Sequence, residues 1–171
     1  PIPDAERLYL LSRVSDQTRT EFVLRAISTA TGLTLWQRRL NLPSEPAEIF
    51  LMIHNETLLL ILDAGKILAF QTSNGSDGWQ RDFNSGISAQ SSISSNEVVI
   101  GRKGSAVSII NANTGADVSE LNLARLTTAE NTALATNGAR IFYGDRAGGV
   151  YALRQSDQKL LWRARAGGQS V

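Results

Sequence analysis

Cysteine is absent and histidine occurs once, at His54. With no thiol there is no disulfide and no thiolate nucleophile. A single imidazole cannot build a multi-histidine zinc centre. Aromatic residues make up only 6% of the chain, proline occurs four times, and methionine does not stand at position 1. No apolar run approaches the roughly 20 residues that a membrane-spanning helix needs, so a soluble segment is expected. The chain opens at Pro1 with neither a charged nor an apolar leader, and the natural termini are expected to lie elsewhere. Charge of one sign is lacking too: 17 Lys and Arg stand against 16 Asp and Glu. The basic residues are scattered except for the pair Arg38-Arg39, which leaves nucleic acid without the basic patch it requires.

What is present is a repeat. From Leu24 the chain reads Leu-Arg-Ala-Ile-Ser-Thr-Ala-Thr-Gly32-Leu-Thr-Leu-Trp36. The frame returns from Ile67 through Gly75 to Trp79, from Val107 through Gly115 to Ser119, and from Val150 through Gln158 to Trp162. Ser119 stands in place of the tryptophan in the third copy, and Gln158 in place of the turn glycine in the fourth. The turn positions 32, 75, 115 and 158 are 43, 40 and 43 residues apart. A period of about 40 to 50 residues fits four-stranded propeller blades and also helical repeats. Strand-type runs decide between them: Glu97-Val-Val-Ile100 and Arg140-Ile-Phe-Tyr143 are short, β-branched or aromatic, and bounded by Gly, Asn, Asp and Ser.

The reading is therefore all-β, with propeller blades of four antiparallel strands and about four blades in the chain. Approximate blades run over 1–42, 43–84, 85–124 and 125–171. In the third, an inner strand is expected over Ile87 to Ser94, a second over Val98 to Gly101, a third over Ala106 to Ile110 and an outer one over Ala116 to Leu121. The outer strand carries the tryptophan position, where an indole would cover the gap to the next blade. The first unit has little sequence ahead of its second strand near Arg7 to Ser12, so its inner strand is expected to be missing or supplied from elsewhere. The polar stretch Arg13 to Thr20 predicts a protruding hairpin.

Thr31-Gly32-x-x-x-Trp36, Asn74-Gly75-x-x-x-Trp79 and Gly148-Gly-Val-Tyr-Ala-Leu153 resemble the PQQ-like, quinoprotein-type repeat over nearly the whole chain. That family includes quinoprotein alcohol dehydrogenases, the β-propeller lipoprotein of the outer-membrane protein assembly machine, sensor domains of bacterial kinases and an endoplasmic-reticulum insertase subunit. The chain is closest in style to the non-catalytic scaffold members. The resemblance implies rings of seven or eight blades, and its bacterial members are mostly outside the cytoplasm, so a periplasmic or cell-surface location is favoured. Three explanations account for a count of four: further blades outside this chain, two copies pairing to complete a ring, or an unusually small ring.

No residue reads as catalytic, cofactor-binding or metal-binding. His54 follows the apolar run Ile49 to Ile53 and reads as a strand-end residue. Asp63 and Asp145 precede glycines in hairpin turns, where a carboxylate bonds nearby amides. Gly75-Ser-Asp-Gly78 lacks the oxygen ligands of a calcium loop. No Gly-x-Ser-x-Gly elbow, P-loop or Rossmann glycine pattern occurs. Quinone-dependent oxidation, as the resemblance implies it, draws on an aspartate, calcium and commonly a vicinal cysteine pair from a larger domain; this chain has no cysteine. The expectation is a protein-binding scaffold without enzymatic activity or cofactor, with no nucleic acid partner and no membrane insertion, and with self-association as one route to a complete ring. The alternatives are a sensory or small-ligand-binding ectodomain, holding a small molecule in a central channel, and a fragment of a quinone-dependent dehydrogenase whose site is carried by blades outside this chain. The most elaborated connections, the hairpin bearing Arg13 and Arg19 and the loop Asn41 to Pro46, are the places where partner contacts are expected.

Overall fold

The computed structural model describes residues 1–15, 20–42, 46–87, 91–104, 106–127 and 131–165. Every regular element among them is a strand except one turn of 3-10 helix at Leu123–Arg125. Among the described residues, no helix is long and apolar enough to cross a membrane. Among the described residues, sixteen strands form four sheets, each a meander of four consecutive antiparallel strands. The first holds β1 (Ile2–Pro3), β2 (Arg7–Ser15), β3 (Thr20–Ser28) and β4 (Thr34–Leu40). The second holds β5 (Ile49–His54), β6 (Thr57–Leu62), β7 (Lys66–Gln71) and β8 (Asp77–Asp82). The third holds β9 (Ser92–Ser94), β10 (Glu97–Arg102), β11 (Ala106–Asn111) and β12 (Asp117–Asn122). The fourth holds β13 (Asn131–Thr136), β14 (Arg140–Asp145), β15 (Gly149–Arg154) and β16 (Leu160–Arg165).

Two compact units divide the chain. One comprises Pro1–Ile61 with Ile67–Gln80, the other Leu62–Lys66 with Arg81–Val171. In both, the middle strands are buried almost end to end: Leu58 to Leu62, Val98 to Ile100, and Ile109 with Ile110 are at most 3% exposed. A strand covered on both faces reads as a continuous apolar run rather than an alternating one, which is how these segments look in sequence.

The repeat frame is a turn. Gly75 N–H donates to the Gln71 carbonyl and Gln71 N–H to that of Ser76; the same pair of bonds recurs at Gly32 with Ser28 and at Gly115 with Asn111. The turn glycines have φ of +72°, +70° and +71° at positions 32, 75 and 115, the left-handed region in which a side chain costs about 1–2 kcal/mol. Gln158 keeps the conformation with φ +58° and offsets part of that cost by donating from Nε2 to the Glu120 carbonyl at 3.2 Å.

One expectation changes in detail. The first sheet has its own inner strand after all, as the two-residue β1, with Ile2 opposite Tyr9 and Pro3 opposite Leu8; two pairings suffice because Asp4 caps the connection by accepting from Glu6 and Arg7 N–H. In the third sheet the described part of the inner strand is β9 at Ser92–Ser94, with Ile87 joined to Arg102 by an isolated bridge; residues 88–90 of the expected strand lie outside the described residues. Ahead of it, the Asp63 and Gly86 carbonyls take the N–H groups of Ile87 and Lys103. The hairpin at Arg13 to Thr20 extends as paired strand as far as Ser15 opposite Thr20, and Arg19 lies outside the described residues.

Candidate functional site: a groove beside a sheet junction

Within the first unit, the outer strand β4 meets the turn of the second sheet. The Trp36 indole N–H donates to the Thr72 carbonyl at 2.9 Å, and its ring lies on Gly75 so closely that a Cβ there would fall 2.6 Å from the six-membered ring. Glycine is required for this approach as well as for its φ. Tyr9 stands 6.0 Å from the same ring, and its hydroxyl donates to Asp4 at 2.7 Å. The indole thus covers the gap between adjacent sheets. Two residues further along, Arg38 donates to the Gly75 carbonyl and to both carboxylate oxygens of Asp77 at 2.8 and 2.9 Å. The clamp recurs in the second unit, where Arg81 reaches both oxygens of Asp117 at 2.7 Å. Its signal is in the sequence: arginine two residues after the tryptophan position, aspartate two residues after the next turn glycine.

Next to the first clamp lies a groove of about 550 Å³ bounded by Arg38 to Leu42, Leu68 to Phe70 and Asp77 to Gln80. Its lining combines a cationic rim with apolar and aromatic side chains, among them Arg39, Leu42, Phe70 and Trp79. Asn41 and Leu42, the first residues of the elaborated loop, belong to it; residues 43–45 lie outside the described residues. Arg13 does not line the groove. It is exposed on β2 opposite Phe22.

The acids noted in the sequence divide. Asp145 is 6% exposed and accepts four hydrogen bonds: Ala147 and Gly149 N–H on Oδ1, and the Thr127 and Tyr151 hydroxyls on Oδ2. Burial pushes its pKa up, but these donors outweigh it and hold the carboxyl below its ordinary value. With about four lone-pair sites filled, Asp145 has little capacity left for substrate or metal. Its work is to pin the segment after β12 to the fourth sheet through Thr127. Asp63 sits at the matching place after β6, yet its buried Oδ1 has no partner among the described residues; its main-chain carbonyl is used, by Ile87 N–H. Asp77 is a partner of Arg38, which simple turn chemistry did not indicate. His54 ends β5, with Nε2 3.0 Å from Asn55 Nδ2. Among the described residues, no group of three or more His, Cys, Asp and Glu is placed to hold a metal ion.

These features can be set beside known proteins. The family model described as outer membrane protein assembly factor BamB matches residues 1–102 and again residues 102–171. The chain belongs to the BamB-like family of PQQ-type β-propeller proteins. Comparison with curated proteins finds no match. Among solved structures, BamB from Moraxella catarrhalis is 16% identical, with a TM-score of 0.61 over 95% of this chain and 51% of that one. The computationally designed Ika8 protein gives 17% identity and a TM-score of 0.66 over 90% and 48%. A europium-containing methanol dehydrogenase gives 12% and 0.67 over 95% and 40%. At such identities these likenesses establish the fold, and the chain spans about half the length, or less, of the structures it matches. Within this BamB-like chain the repeated glycines at 32, 75 and 115 make the turns, and Trp36 closes a junction on Gly75.

Proposed function

We propose that this chain is a non-catalytic protein-binding scaffold, one part of a larger protein or assembly outside the cytoplasm. The observation that carries the reading is the match of a model named for an outer-membrane protein assembly factor along the whole chain. The groove beside β4 and β8 supports it physically. Interfaces concentrate their energy in aromatic, arginine and apolar anchors held in a rigid setting, and Trp79, Arg39 and Leu42 provide that mixture on paired strands and one adjoining loop. The four sheets act as blades whose boundaries fall near residues 42, 84 and 124.

A photocrosslinking residue at Asn41, with a second at exposed Lys159 as control, tests the reading in the native cell envelope. A discrete protein adduct from position 41 alone is the expected result. No adduct from position 41, together with saturable binding of a small metabolite or quinone to the purified chain, would replace it with the ligand-binding reading.

A further inference from the structure

An asparagine followed by glycine is prone to lose its side-chain amide, because glycine has no Cβ to hinder its own nitrogen from attacking the preceding side chain. The chain contains this dipeptide twice, at Asn74-Gly75 and Asn137-Gly138. Local sequence makes the two alike. The tertiary structure separates them. At the first, Asn74 is exposed but Gly75 is buried, its N–H donated to the Gln71 main-chain carbonyl at 2.9 Å and the Trp36 ring lying on it. Freeing the Gly75 nitrogen therefore requires the repeat turn to open and the indole to shift.

The second dipeptide lies in the hairpin between β13 and β14, where Asn137 and Gly138 are both exposed. Gly138 N–H donates to the Thr136 hydroxyl at 3.0 Å, a side-chain partner that a rotamer change withdraws without breaking the strand pairing. The atoms nearest to a Cβ built on Gly138 are the Ser94 and Ser95 hydroxyl oxygens, at 3.3 and 3.5 Å. Asn137 Oδ1 accepts two main-chain N–H groups, from Ala139 at 3.2 Å and Arg140 at 2.9 Å. Negative charge gathers on this oxygen when the side-chain carbon is attacked, and N–H groups already aimed at it lower the barrier. At Asn74 the Ser76 N–H, at 2.8 Å, is the one such donor among the described residues.

We propose that Asn137 is a site of spontaneous covalent modification in the folded protein, deamidating through a cyclic imide, while Asn74 is protected by its turn and by Trp36. The Gly138 nitrogen gives its proton to water and bonds to Asn137 Cγ; the bond from Cγ to Nδ2 breaks, and the amide nitrogen leaves as ammonia. The five-membered imide then takes up one water at either of its carbonyls, which yields aspartate or isoaspartate without any oxidant or reductant. Both products add a negative charge beside Arg140, which stands opposite Arg154 in the sheet. Aspartate keeps an oxygen for the Ala139 and Arg140 N–H groups. Isoaspartate adds one carbon to the main chain next to the pair Thr136 and Ile141, and so disturbs the hairpin. The inference stands apart from what the scaffold binds.

Peptide mapping by mass spectrometry, after incubation of the purified protein in mildly alkaline buffer, tests it. In the folded protein, conversion at Asn137 is expected to outrun conversion at Asn74 by about tenfold or more, the scale set by a hydrogen-bonded turn that must first open. In urea, where the turn and the indole are gone, the two sites should convert at similar rates. Isoaspartate, read out by enzymatic methylation of the peptides, should appear in the folded sample at position 137. Asn137→Gln, whose longer side chain would have to close a six-membered ring, should remove most of the mass gain of the folded chain. Similar rates at the two sites in the folded protein overturn the proposal. So does an Asn137 that stays intact when folded over the period in which the unfolded chain converts, or a mass gain that persists in Asn137→Gln.

Discussion

The junction in the first unit and the one in the second solve the same packing problem with different chemistry. Trp36 closes the first by lying on Gly75, donating to a main-chain carbonyl and sharing its edge with the Arg38–Asp77 clamp. Where β12 meets the fourth sheet, Ser119 replaces the tryptophan. Leu121 and Leu123 fill the space there together with Leu134, Ile141 and Tyr143, and Asp145 holds the connecting segment through Thr127. An aromatic lid needs a bare glycine beneath it. An aliphatic filling needs an extra piece of chain, supplied by the 3-10 turn that Asn122 caps by accepting from Ala124 N–H. The repeat therefore prescribes the gap between sheets and leaves the filling free.

Substitutions can pull this contrast apart. The largest effect is expected at the lid: Trp36→Ala should lower unfolding stability by about 3 kcal/mol in chemical denaturation. Ser119→Trp, by contrast, should not improve the second junction, and overpacking against Leu121 and Leu123 should cost about 1–3 kcal/mol. A gain in stability at Ser119→Trp would show that the two junctions are interchangeable after all.

Gly75→Ala combines a left-handed backbone with a collision against the indole, and a loss of about 2–3 kcal/mol is expected. Gly32→Ala, with the same φ and open space above it, should cost about 1 kcal/mol. Equal losses in urea titrations would mean that the indole moves aside.

Asp145 makes the second junction sensitive to acid. Its folded pKa lies below the ordinary carboxylate value, so its contribution is complete above about pH 4 and is lost as pH falls through the folded value. Asp145→Asn should cost about 2 kcal/mol at neutral pH, on the scale of hydrogen bonds to a charged group, and the gap to wild type should close as pH falls below the ordinary carboxylate value and through the lower folded one. A gap that stays constant on acidification would mean that the carboxylate's charge contributes nothing.

The smallest effect is at the clamp. Asp77 is largely exposed, and a double-mutant cycle with Arg38→Ala and Asp77→Ala should give a coupling of about 0.2–1 kcal/mol that fades with added salt. The corresponding cycle at Arg81 and Asp117 should behave alike.

Legibility followed the range of the interaction. The turns at 32, 75, 115 and 158 and the strands between them were readable because a φ-demanding glycine and a run of β-branched residues act over a few positions. Even Gln158 was recognisable as the occupant of a glycine position, although only the structure shows how the Glu120 carbonyl helps to hold it there. The clamps were legible in principle as a phase relation between repeats, yet Arg38 read as part of a basic pair and Asp77 as a turn residue. The groove was half visible, since the loop from Asn41 drew notice while Trp79 and Phe70 looked like repeat and core.

By itself, then, the sequence determined the repeat, its strand content and its membership in a propeller family, because periodic local preferences repeated four times outweigh any single substitution. Which aspartate would be saturated and which left with an orphaned oxygen was decided only in the tertiary structure. Asp145 and Asp63 precede similar turns, but a hydrogen-bond donor such as the Thr127 hydroxyl arrives from a distant part of the chain. The same holds for Trp36 and Trp162, alike in their place after the turn, one partly covered on Gly75 and the other 45% exposed beside Phe142.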